Sequence, residues 1–474
     1  MIPLLRFVAI LAFACVPAAA HGQLADEFTR IQVAYRAGDL PALLAALRSA
    51  DRLAPGHPVL LFHLARTSAL LGDTGQALAA LERLAPLGRA APLEDDSAFA
   101  GLRGSTRFRA LAGRLAASAE PRVRSDTLLV TRGEELYPES VAWDARTRTF
   151  FLGSLVANKV VRILPDGTTR DFAVAGPPGR VIGIRADASR RRLWVTTTPV
   201  DTAAPRTPVG VGGWTELHAY HLDSGRLLRR LKHPDPREPQ QLNDLVVTAR
   251  GEVLVNDGIG NAVYRVPARG GTLVRVFGGD AAFTWPNGMA LSADERRLYV
   301  AHAEGLSAID LRTGRRTLLP RPPGTTLATI DGMYLCGGSL LAIQRLSDFE
   351  QVIRIRLAPA RDAVTAVEVL ERRHPAYEQP TTGVMVGGEL VYIANSRYTR
   401  LRPDGTAPPG PGGTVLLRLP CGPSPGSLQL PPSPTNRVGE GTTSDAASRV
   451  RRPFHGTATA GLTQRHRVTE RSRP

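Results

Sequence analysis

A short pattern recurs six times down the middle of this chain, and it constrains the fold more than any other feature. It reads PESVAWD at 138–144, VIGIRAD at 181–187, LNDLVVT at 242–248, PNGMALS at 286–292, IDGMYLC at 330–336 and TTGVMVG at 381–387. Each copy opens an alternating apolar run, and a turn and a second run usually follow, as in LSADERRLYVAHA and VGGELVYIANS. Alternation with Gly, Pro and Asp punctuation is the mark of short antiparallel strands. Most intervals are about 44 residues, and the longer ones hold insertions such as the Pro- and Gly-rich TPVDTAAPRTPVGVGG. A four-stranded sheet repeated at this period is a propeller blade. Six copies predict an all-β six-bladed β-propeller over residues 124–421. The Gly-His and Trp-Asp markers of the WD class are absent from the repeat.

Residues 24–118 have a different period. AYRAGDLPALLAALRSADRLAPGHP aligns with ALLGDTGQALAALERLAPLG at an offset of about 34 residues, Gly38-Asp39 falling on Gly72-Asp73. This is the helix–turn–helix spacing of tetratricopeptide repeats, so a small tetratricopeptide-like helical domain is expected, either docking a protein partner or capping its neighbour. Residues 1–20 carry Arg6, the apolar run FVAILAFACV and the small-residue site PAAA. These are the parts of a signal peptide, so export to a periplasmic or extracellular space is expected. The run is too short to span a bilayer. Ala12 stands where a lipidated cysteine at Cys15 would want leucine. Residues 422–474 offer little apolar material to bury and read as a disordered basic tail.

The net charge of +16 raises the question of a polyanion partner. Lys159 and Lys232 are the only lysines, the arginines are scattered, and no aromatic-rich basic motif accompanies them, which argues against nucleic acid. Cys336 and Cys421 are the cysteines left after cleavage. Export permits a bridge between them, and two buried thiols are equally compatible with the sequence.

The position that opens each copy reads Glu139, Ile182, Asn243, Asn287, Asp331 and Thr382. Innermost strands line the channel of a propeller, so equivalent positions form a ring about the axis. Two carboxylates meeting there repel unless a cation lies between them. Asp, Glu and Asn oxygens suit a hard divalent cation, Ca²⁺ foremost. Singly, Asn287-Gly288 and Asp331-Gly332 are ordinary turn signals; together and in phase they predict a metal site of Glu139, Asn243, Asn287 and Asp331.

These motifs resemble the gluconolactonase/regucalcin (senescence marker protein, LRE-like) family of six-bladed propellers that hold a divalent cation. Glu139 in PES matches that family's blade-1 glutamate, Asn243 in QLNDLVV its ND asparagine, Asn287 in WPNGMALS its NG asparagine, and Asp331 in IDGMYL its DG aspartate. The resemblance implies a lactonase: a small lactone or ester substrate, Asp331 activating water, Asn243 orienting substrate or water, and the cation polarising the carbonyl. Gln241 stands where the family often has a sugar-reading arginine, and His302, in VAHAEG, where its blade ends VAD or IDS. Both are candidate substrate contacts. Paraoxonase-like and phosphotriesterase-like propellers share the cation cage. A non-catalytic calcium-binding scaffold with a protein-binding helical segment is the reading from another class. No G-x-S-x-G elbow is present, which disfavours a serine nucleophile.

Overall fold

The computed structural model describes residues 23–91, 93–174, 179–199, 215–235, 240–278, 283–346, 349–402, 406–408 and 412–422. The signal segment at 1–20 and the tail beyond Gly422 lie outside them. Helices α1 (Gln23–Ala37), α2 (Leu40–Leu53), α3 (Pro58–Leu70), α4 (Thr74–Leu84) and α5 (Thr106–Ala117) precede the strands. The repeated Gly-Asp does the same work twice. Gly38 and Gly72 take positive φ (68° and 78°), a region glycine enters without steric cost, and so end α1 and α3. Asp39 then caps α2 by accepting from Ala42 N at 2.9 Å, and Asp73 caps α4 by accepting from Gln76 N at 3.1 Å. Leu43, Leu44 and Leu47 on α2 and Leu78, Leu81 and Leu84 on α4 are buried in one shared cluster. Among the described residues no helix is long and apolar enough to cross a membrane.

Strand β1 (Asp126–Val130) follows the helices, and then six four-stranded antiparallel sheets account for all 24 described strands. Blade 1 is β2 (Pro138–Asp144), β3 (Thr149–Ser154), β4 (Lys159–Ile163) and β5 (Thr169–Val174). Blade 2 is β6 (Gly179–Asp187), β7 (Arg192–Pro199), β8 (Glu216–His221) and β9 (Leu227–Lys232). Blade 3 is β10 (Leu242–Val247), β11 (Val253–Asp257), β12 (Ala262–Val266) and β13 (Val274–Gly278). Blade 4 is β14 (Met289–Leu291), β15 (Arg297–His302), β16 (Gly305–Asp310) and β17 (Arg316–Leu318). Blade 5 is β18 (Ile330–Cys336), β19 (Ser339–Leu346), β20 (Phe349–Leu357) and β21 (Val364–Arg372). Blade 6 takes β22 (Gly383–Val386), β23 (Glu389–Ile393) and β24 (Val415–Pro420) from the end of the chain and completes itself with β1. That pairing closes the circle. The fold is a six-bladed β-propeller with a small N-terminal helical segment.

Two features fasten the closure. Glu371, with none of its surface exposed, accepts from Arg124 N (2.8 Å), Ser125 N (2.7 Å), the Ser125 hydroxyl, Tyr377 OH (2.7 Å) and Tyr392 OH, drawing the chain before β1 onto blades 5 and 6. Cys336 and Cys421 form a disulfide, their Cα atoms 5.9 Å apart, which answers the open question of their pairing. The helical segment lies on blades 4 and 5. Ala303 and Phe349 belong to its apolar cluster, and Phe28 of α1 meets the Trp285 ring at 5.0 Å.

Candidate functional site

Four of the six inner strands are irregular where the ring residue stands, those of blades 1, 2, 3 and 5. The β2–β3 register slips between Pro138 and Val141, β6–β7 between Val181 and Ile184, β10–β11 between Leu242 and Leu245, and β18–β19 between Ile330 and Gly332. Such bulges release one residue from the ladder and re-aim its side chain. The residue two before the ring position also adopts a left-handed φ in three blades: Tyr137 (47°), Trp285 (51°) and Thr329 (64°). For bulky or β-branched residues this stores about 1–3 kcal/mol each, a kind of strain that gathers at functional sites.

Three ring residues join into a hydrogen-bonded arc. Asn243 Nδ2 donates to Asn287 Oδ1 at 3.0 Å, and Asn287 Nδ2 donates to Asp331 Oδ1 at 2.7 Å. Glu139 joins the group beside Asp331 and Arg345, both of which act on its charge. Thr382 of blade 6 donates its hydroxyl to the Glu139 carbonyl at 2.9 Å. Among the described residues nothing donates to the Glu139 carboxylate. Enclosure by protein, and then repulsion from Asp331, push its pKa up to about 8 against the pull of Arg345. The sixth position, Ile182, packs with Tyr137 and Leu155 and leaves one side of the ring apolar.

Arg345 of β19 was not visible in the motifs. Its Nε donates to Asp331 Oδ2 at 2.8 Å, it donates to the Tyr398 hydroxyl, and its guanidinium lies 4.5 Å from the centre of that ring. Asp331 and Glu139 hold it protonated against burial. Part of the negative charge at the axis is therefore met from within the chain. A second residue without a sequence signal is Asn256 of β11. It accepts from Asp244 N at 3.0 Å and donates to the Asn287 carbonyl, setting the backbone of two ring strands together. Asp244 adds a strut, accepting from Met289 N of blade 4 at 3.2 Å and facing Arg185 at 3.4 Å. An available signal was the aromatic-proline pair before a ring residue, Tyr137-Pro138-Glu139 and Trp285-Pro286-Asn287.

Gln241 stands at the mouth of β10, half-buried, its backbone N–H donating to Asp257 Oδ1 at 2.8 Å. His302 is not brought to this group. Its Nδ1 lies 2.6 Å from Glu304 Oε2, its Nε2 lies 2.7 Å from Ser307 Oγ, and its side chain has no exposed surface. This Glu–His–Ser line lies within the β15–β16 hairpin of blade 4 and occupies both ring nitrogens.

The donor set fits a divalent cation. Glu139 offers a carboxylate without a donor of its own, close enough to Asp331 to be repelled by it, and turning either carboxamide presents its oxygen in place of its NH₂. Among the described residues no three of His, Cys, Asp and Glu gather to hold a metal, so the two carboxamides are indispensable to the set.

No protein-family model matches the chain, and no curated protein matches it. Solved structures similar to it include the PQQ-bound form of an aldose sugar dehydrogenase from Streptomyces coelicolor, 12% identical, covering 63% of this chain and 98% of that one at a TM-score of 0.44. A gluconolactonase from Xanthomonas campestris is 17% identical over 63% of this chain and 94% of its own, at 0.40. A virginiamycin B lyase from Staphylococcus aureus is 13% identical over 58% and 82%, at 0.39. The reactions in these names differ, and none is carried over to this chain.

Proposed function

We propose that the protein is a hydrolase of lactones or related carboxylic esters that works with a divalent cation, Ca²⁺ foremost, held by Glu139, Asn243, Asn287 and Asp331. The observation that carries this reading is the Glu139 carboxylate, half-buried, without a donor among the described residues and facing a second carboxylate. The cation, when bound, supplies Lewis-acid polarisation of the substrate carbonyl. Asp331 takes the proton of the attacking water, and Arg345 fixes its carboxylate from the side away from Asn287. Asn243 orients substrate or water from the next blade. Ile182, Tyr137 and Leu155 give the substrate's carbon skeleton an apolar wall. The Cys336–Cys421 bridge supports work outside the reducing cytoplasm, as the signal-like N-terminus suggests.

A second reading has one observation in its favour. Arg345 already neutralises Asp331, so the axis can be closed as a structural centre in a non-catalytic exported scaffold. A panel of lactones, aryl esters and phosphotriesters, each with and without chelator, separates the readings. Turnover of lactones that chelation removes, and that Glu139→Gln and Asp331→Asn abolish with the fold intact, is the expected result. Turnover confined to phosphotriesters reassigns the chemistry. Inactivity on every substrate, with metal bound, leaves the scaffold.

A further inference from the structure

Among the described residues two arginines are buried, and their circumstances differ. Arg89 donates to the Pro58 carbonyl at 2.9 Å and lies 4.4 Å over the Phe62 ring. Among the described residues Arg180, with 9% of its surface exposed, meets no hydrogen-bond, ion-pair or ring partner. Burial lowers its pKa from the usual arginine value, and no carboxylate among the described residues offsets that. A buried charge with no partner is costly, and proteins keep such a group where a ligand supplies the missing half.

The surroundings are built for that. Arg180 of β6 faces Thr198 of β7 across the ladder, and Thr198, fully buried, also has a hydroxyl without a partner. Directly opposed residues of an antiparallel pair set their side chains next to each other, about 5 Å apart at Cβ. The neighbouring Val181 packs toward blade 1, where its side chain approaches Gly153, so strand alternation turns Arg180 and Thr198 to the opposite face. Thr196 lies on that same face of β7 and donates to the Asn243 carbonyl at 2.8 Å. Thr198 therefore stands one strand repeat, about 7 Å along β7, from the residue that holds the Asn243 carbonyl. Arg180 also precedes Ile182 by the same two residues that separate Gln241 from Asn243. The pair sits on the face of blade 2 turned toward blade 3, at the start of the inner strand that carries the apolar ring position Ile182.

We propose that Arg180 and Thr198 form an anion subsite that receives the carboxylate of a small organic ligand. One guanidinium and one hydroxyl match one planar, singly charged carboxylate, whereas a phosphate dianion carries more charge than one guanidinium meets. The subsite deepens the hydrolase reading, since an acid group held here puts the rest of the ligand over the ring. Its binding is measurable without any turnover.

The test is binding of glutarate, inorganic phosphate and the neutral diamide of glutarate to the full chain. It is run at fixed ionic strength with chelator present, so that neither metal nor hydrolysis contributes. Saturable thermal stabilisation by glutarate, and none by the diamide, is expected. Arg180→Met should weaken glutarate at least tenfold while unfolding at the same or a higher temperature than the parent protein without ligand. Thr198→Val should weaken it two- to fivefold, and Arg180→Lys should retain part of it. Phosphate binding as tightly as glutarate would overturn the carboxylate assignment. Glutarate binding that is absent from the parent protein, or unchanged in Arg180→Met, would overturn the subsite. If Arg180→Met does not fold, full glutarate binding by Thr198→Val overturns it equally.

Discussion

Glu371 and Glu139 are both carboxylates set into the same propeller, the first fully and the second half-buried, and they live in opposite conditions. Glu371 collects donors from Arg124, Ser125, Tyr377 and Tyr392. Burial pushes its pKa up, but the Ser125 and Tyr392 hydrogen bonds outweigh that, and the carboxyl ends below its ordinary value. Glu139 has no donor, and burial and Asp331 raise it to about 8. A fully served carboxylate is a fastening, whereas an unserved one at a converging point awaits something the chain does not contain. The same residue type is thus fully hydrogen-bonded in one place and left without a protein donor in the other.

The contrast breaks first at the fastening. Glu371→Gln puts an amide NH₂ among hydroxyl and backbone donors, and should cost about 3–5 kcal/mol of unfolding free energy by urea titration. Activity per folded molecule should stay unchanged. Removing the bridge with Cys336→Ala and Cys421→Ala, which frees a loop of 85 residues, should cost about 2–4 kcal/mol in the same measurement.

The axis should respond in the reverse sense. A carboxyl whose folded pKa exceeds its unfolded value binds more protons when folded, so stability falls as pH rises between the two. Chelated protein should therefore lose stability from about pH 4.5 to about pH 8 through Glu139, and Glu139→Gln should remove that slope and equal or exceed the parent above pH 8. The smallest effect belongs to Arg345. Its replacement by glutamine takes a positive charge from beside Asp331 and should tighten Ca²⁺ binding roughly tenfold by calorimetry, while turnover falls because Asp331 is no longer held. Unchanged affinity would mean that the cation lies elsewhere.

The blades were legible because the entrance to each inner strand is a local event: seven residues suffice to write it, and six copies give the architecture. The helical pairs were legible for the same reason, Gly38-Asp39 and Gly72-Asp73 carrying a stop and a cap in adjacent residues. What escaped was set by register and distance. Arg345 meets Asp331 because the β18–β19 slip brings it there from 14 residues on, and nothing in RLSD announces that. The apolar seat of the helices on blades 4 and 5 rests on Trp285, Ala303, Leu346 and Phe349, four residues with no common pattern. His302 was singled out by a departure from a motif, and its environment is a buried line within one blade.

Strand β1 is made early and finds its partner β24 late. Throughout synthesis of five and a half blades, Asp126–Val130 must remain an open edge, ready to zip onto any other extended segment. Assembly of the ring is consequently a single terminal event, and a chain cut short anywhere before Val415 retains both a sticky border and a gap where the circle should meet.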